Sequence, residues 1–114
     1  MGVIREPDDW TFDKLNHRGK VFPTSDIVTS SGFTLIEVEG SLKGTLRQKE
    51  CDFIYYIVSG SGEFVIDGET TACSAGDLVP VPAGRLLSYS GSMRMFLTST
   101  PPWTLDQEEY HEAL

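Results

Sequence analysis

The sequence predicts an all-β domain, an antiparallel sandwich or barrel followed by a short C-terminal helix. Three observations carry this. Turn signals recur about every 8–12 residues between positions 26 and 100. The runs between them are β-branched and aromatic. None of that region shows the 3.6-residue apolar period of a helix.

The elements follow in order. Residues 1–25 are polar and irregular, with Pro7 and Pro23, and read as an N-terminal arm whose Trp10 and Phe12 need a partner surface. "DIVTS" opens the strand-forming region at Asp26. In "FTLIEVEG", Phe33, Leu35 and Glu37 alternate with Thr34, Ile36 and Val38, and either set fits an inner face. "SLKGTLRQ" is a strand interrupted by Gly44. "FIYYIVSG" is strongly β-prone and runs into the "SGSG" turn. "EFVIDGET" carries Asp67-Gly68, a strong hairpin signal. "LVPV", "PAG" and "RLLSYSG" read as strand, corner and strand. Pro80 and Pro82 lack N–H donors, which puts their strand at an edge or a bulge. In "MRMFLTST", Met93, Met95 and Leu97 compete with Arg94, Phe96 and Thr98 for the inner face. After Pro101, Pro102 and Trp103, Thr104 and Gln107 form a capping box. Asp106, Glu108 and Glu109 suit a helix N-terminus, so a short helix is expected in the 101–114 tail. The organisation is arm 1–25, barrel 26–100 and tail 101–114.

Composition narrows the function. The chain has 114 residues and a formal net charge of -8, with 39% hydrophobic and 23% charged residues. That length suits one domain. The acidity repels phosphate backbones and anionic membranes, so neither nucleic acid nor membrane is an expected partner. No basic-then-apolar leader and no run of membrane-spanning length is present, and cytoplasmic residence is the expectation. Cys51 and Cys73 are too few for a disulfide framework. Cys51 has no His near it in sequence to activate it, and Cys73 reads as a small core residue.

The glycine and proline spacing resembles the cupin family. Gly76, Pro82 and Gly84 match the first half of that family's second motif. Its first motif lies without a gap on Gly40 to Gly60, and the resemblance spans about residues 32–100. It implies a cupin-type double-stranded β-helix, or jelly-roll barrel. In metal-binding cupins two His and a Glu of the first motif and a His of the second hold the ion. The matching positions here are Leu46, Gln48, Phe53 and Leu87. One neutral amide among three hydrocarbons cannot retain a transition metal, so no cofactor and no metal are expected.

Alternation through Phe53 and Leu87 then points Tyr55, Ile57, Tyr89 and Arg85 inward, with Leu46 and Gln48 from a third strand. Leu46, Phe53 and Leu87 also read as plain core packing, and Arg85 as a solvated residue at the mouth. The candidate ligand-binding set is Gln48, Tyr55, Tyr89, Glu37 and Arg94. His17 and His111, in the flanking segments, read as solvated surface residues. Three functions remain open. The first is a metal-free module binding a small organic ligand, a sugar or carboxylate, in the barrel. The second is a cofactor-independent sugar isomerase or epimerase, weakened by the absence of a barrel histidine. The third is a scaffold with a packed barrel. Flanking aromatics Trp10, Phe12 and Trp103 suggest a homodimer interface.

Overall fold

The computed structural model describes residues 2–103 and the backbone of 108–112. Among these, every regular element is a strand: β1 (Phe12–Lys14), β2 (His17–Val21), β3 (Gly32–Ser41), β4 (Gly44–Gln48), β5 (Asp52–Ile66), β6 (Glu69–Ser74), β7 (Leu78–Val81), β8 (Leu86–Thr100) and β9 (Glu108–Glu112). All pairings are antiparallel. Among the described residues no helix is long and apolar enough to cross a membrane.

Strand β8 is the spine. On one side it pairs with β3, from Gly32↔Ser99 to Ser41↔Ser90. On the other it pairs with β5, from Asp52↔Thr100 to Ile66↔Leu87. Both β5 and β8 are 15 residues long, so each must bend to serve both halves of the sandwich. The bend lies where their backbones touch. A Cβ built on Gly60 would collide with the Ser92 carbonyl oxygen, and one on Gly91 with that of Ser61. Glycine is what permits this approach.

Alternation places the core. Phe53, Tyr55 and Ile57 of β5 are buried. A register shift between Ile57 and Ser59 then changes the parity, so that the even-numbered Phe64 also faces in. On β8 the buried set is Leu87, Tyr89, Met93, Met95 and Leu97. On β3 it is Thr34, Ile36 and Val38. The intervening Leu35 is buried as well, on the outer face. There it lies in register with Phe96, against which the rings of Phe22 and Phe33 pack at 5.9 and 6.2 Å. Among the described residues strand β7 pairs with β5 alone, so Pro80 sits on an edge strand as its missing N–H requires.

Three sequence expectations are corrected. Residues 12–21 of the expected arm form the β1–β2 hairpin, which pairs with β3. Its turn is Leu15-Asn16, both at positive φ (61° and 71°). "DIVTS" is not a strand: the N–H groups of Ile27 and Val28 both donate to the Thr24 carbonyl in a turn. The expected C-terminal helix is replaced over Glu108–Glu112 by β9, which pairs with β4. Thr104 and Gln107 lie outside the described residues. Strand β4 offers an open edge there, and a pairing partner outweighs local capping signals.

Candidate functional site

The motif glycines hold a left-handed backbone, Gly76 and Gly84 in turns and Gly40 and Gly60 within β3 and β5, so that the expected "SGSG" turn is continuous strand. Gly40, Gly60, Gly76 and Gly84 adopt φ of 90°, 85°, 94° and 87°, a region costly for any residue with a Cβ. The "PAG" corner is tied down from both sides. The Ala83 N–H donates to Asp52 Oδ1 at 2.9 Å, and the Gly84 N–H donates to the Gln48 carbonyl at 2.8 Å. The corner delivers Leu87 directly opposite Leu46.

All four positions matched to cupin metal ligands are buried: Leu46, Gln48, Phe53 and Leu87. Leu46 and Phe53 line an inner cavity. Gln48 spends its side-chain oxygen on the Glu50 N–H at 2.9 Å, which leaves its Nε2 as a buried donor without a described partner. Three hydrocarbons and an amide donor do not fit a transition-metal centre. Among the described residues no group of three or more His, Cys, Asp and Glu could hold a metal ion.

The inner cavity has a volume of about 310 Å³. That is at the lower end of ligand-sized pockets, which run from about 300 to 1,000 Å³. Its walls are mostly apolar, with Ile36, Leu46, Phe53 and Leu97 among them, and Trp103 and Phe12 contribute rings. Tyr55 and Tyr89 line it as alternation predicts. Their rings meet edge to face at 5.9 Å.

The cavity also contains a histidine. His17 was expected in solvent, yet it is 7% exposed. Its Nδ1 lies 2.6 Å from the Tyr89 hydroxyl, and its ring packs on Phe12 at 5.1 Å. The strand period explains this: in β2, His17, Gly19 and Val21 face in while Arg18 and Lys20 face out. Gly19 leaves room for the Phe12 ring, which a Cβ there would strike. Burial pushes the His17 imidazole down to about 4, helped by the Lys14 charge and opposed by Asp13. At neutral pH the ring is therefore uncharged. It forms one short hydrogen bond to a phenol, in which either group can be the donor according to the tautomer. A sequence signal existed in Asn16, a good residue for a two-residue hairpin, followed by alternation through residue 21.

Other expected site residues lie elsewhere. Glu37 and Arg94 stand on the outer face, beside a second groove that shares His17 with the inner cavity. Arg18 Nη2 contacts Glu37 Oε1 at 2.7 Å, and Arg94 reaches Glu6 at 3.0 Å and Glu37 at 3.9 Å. Arg85 is exposed and paired with Asp67 at 2.9 Å. Cys51 and Cys73 are buried thiols pushed up in pKa, chiefly by that burial, which makes both poor nucleophiles. The three flanking aromatics are engaged within the chain. The Trp10 ring lies under Arg18 and Lys20, at 4.1 and 4.7 Å. Phe12 and Trp103 border the cavity.

No family model matches the chain, and no curated protein matches it. Solved structures do. It is similar to the nucleoside dehydratase Pac13, with 26% identity over 93% of this chain and 86% of that one, at a TM-score of 0.84. A tyrosine-to-phenylalanine variant of Streptomyces Pac13 with uridine superposes at a TM-score of 0.87, with 24% identity over 100% of this chain and 94% of that one. KdgF from Halomonas superposes at 0.73, with 18% identity over 93% and 98%. Taken with the motif glycines and the strand order, these likenesses establish that the chain is a cupin-fold protein.

Proposed function

We propose that the inner cavity binds a nucleoside or a similar sugar-bearing molecule and performs metal-free acid–base chemistry on it, of the kind that eliminates water. The observation that carries this reading is the buried contact of 2.6 Å between His17 Nδ1 and the Tyr89 hydroxyl inside the cavity. In the sequence an enzyme was the second reading, weakened because no histidine falls in the barrel strands. The β1–β2 hairpin supplies one from outside them.

The chemistry follows from the pair. Loss of water requires a base to take a proton from carbon and an acid to protonate the departing hydroxyl. The electron pair of the broken C–H bond forms the new double bond. A neutral imidazole can accept the first proton, and a phenol bonded to that imidazole can pass one on. The apolar walls exclude bulk water and strengthen each polar contact. The likeness to a nucleoside dehydratase and to a relative with uridine supports nucleosides as the ligand class. Tyr55 and Tyr89 provide hydroxyls for a sugar, and Phe12 and Trp103 provide faces for a planar base.

The test is calorimetric titration with uridine and a panel of other nucleosides and sugars, with mass spectrometry of incubated mixtures for loss of one water. Saturable uridine binding that weakens in Tyr89→Phe supports the proposal. Uridine binding that is absent, or unchanged in both Tyr89→Phe and His17→Gln, overturns it.

A further inference from the structure

We propose that Lys14 makes the cavity selective for ligands that carry an anionic oxygen group, a carboxylate or a phosphate, at the end facing the mouth. This rests on the cavity being the ligand site and specifies its substrate class: the acidic forms of sugar-bearing molecules.

The argument starts from charge. The chain carries a net charge of -8, yet among its described residues the cavity is lined by one permanently charged side chain, the ammonium of Lys14, and by no carboxylate. Lys14 sits on β1 directly opposite His17. It is solvent-exposed while lining the cavity, which places it at the opening rather than the floor. Arg18, Lys20, Arg85 and Arg94 each hold a carboxylate. Lys14 forms no hydrogen bond or ion pair with a described residue. Its neighbour Asp13 lines the outer groove instead. In an acidic protein, a cation with no partner among the described residues beside an apolar cavity favours an incoming anion.

The ammonium also acts on the chemistry behind it. Its charge helps keep the His17 ring neutral. A bound anion would offset that charge and make the imidazole a better base once the ligand is in place. A neutral ligand has no such effect.

Matched pairs of ligands test the proposal by calorimetry at low salt: uridine against uridine 5′-monophosphate, ribose against ribose 5-phosphate, and glucose against glucuronate. The sugar-phosphate and uronate arms separate phosphate from carboxylate recognition. About tenfold tighter binding of the anionic member is expected in at least one pair, as for one charge-assisted hydrogen bond. The preference should shrink as salt is added. It should vanish in Lys14→Gln and persist in Lys14→Arg. No preference in any pair, or an equal preference in Lys14→Gln, overturns the inference, and uridine binding would then still uphold the nucleoside reading. A preference confined to the uronate or sugar-phosphate pair, with no binding of either uridine compound, overturns the nucleoside reading and upholds this one. Failure of every ligand to bind overturns both.

Discussion

Replacing His17 by glutamine should flatten the acid limb of the protein's stability curve. Burial holds the imidazole at about 4 against a reference of 6.5. A base with a depressed folded pKa binds fewer protons folded than unfolded, so its contribution is complete above pH 6.5 and is lost as pH falls towards 4. At about 1.36 kcal/mol per pH unit, the full effect is about 3 kcal/mol, of which about 2.5 kcal/mol is lost between pH 7.5 and 4.5. Glutamine does not titrate, and the carboxylates shared by both proteins cancel in the comparison. Urea denaturation of the two proteins at pH 7.5, 6.0 and 4.5 measures this directly. The wild type should lose about 2.5 kcal/mol more than His17→Gln over that range. Parallel curves would show that His17 titrates normally, and the buried His17–Tyr89 pair would have to be abandoned.

Leu87→Ala should cost about 2–5 kcal/mol by urea denaturation, as for a leucine removed from a packed core; a variant as stable as the parent would reverse the inward assignment of β8. Gly91→Ala should abolish the native circular dichroism spectrum, because the new Cβ meets the Ser61 carbonyl and the Gly62 Cα. Gly68→Ala, which meets no atom within 4 Å, should cost only about 1 kcal/mol for its positive φ. A homodimer is proposed through the flanking aromatics Trp10, Phe12 and Trp103, each of which is only half-buried within the chain. Light scattering at micromolar concentration tests it, and a monomer mass would overturn it.

What was legible in the sequence was whatever a backbone geometry or a strict period imposes. Gly40, Gly60, Gly76 and Gly84 mark positive-φ positions that only glycine adopts cheaply, and they identified the fold. Period-two alternation placed Phe53, Tyr55, Ile57, Leu87 and Tyr89 correctly. It left β3 undecided because Leu35 and Ile36 are both apolar and both buried: the outer face carries its own aromatic cover in Phe22, Phe33 and Phe96. Glu37 and Arg94 entered the candidate site through that ambiguity. His17 was missed for a different reason. Its burial depends on the β1–β2 hairpin docking against β3, a pairing about twenty residues distant that local composition does not announce. The tail was misread because "TLDQEE" obeys the rules for a helix start, while β4 needed a neighbour along its edge.

The most direct measurement of the central claim is a uridine titration followed through the Tyr55 ring resonances by nuclear magnetic resonance, because Tyr55 lines the inner cavity and not the outer groove, with the Arg18 and Arg94 side chains of that groove as internal controls. If the inner cavity is the ligand site, the Tyr55 signals shift progressively and saturate while those of Arg18 and Arg94 stay in place. Saturating shifts at Arg18 and Arg94 with an unmoved Tyr55 would place the ligand outside the barrel and contradict the account.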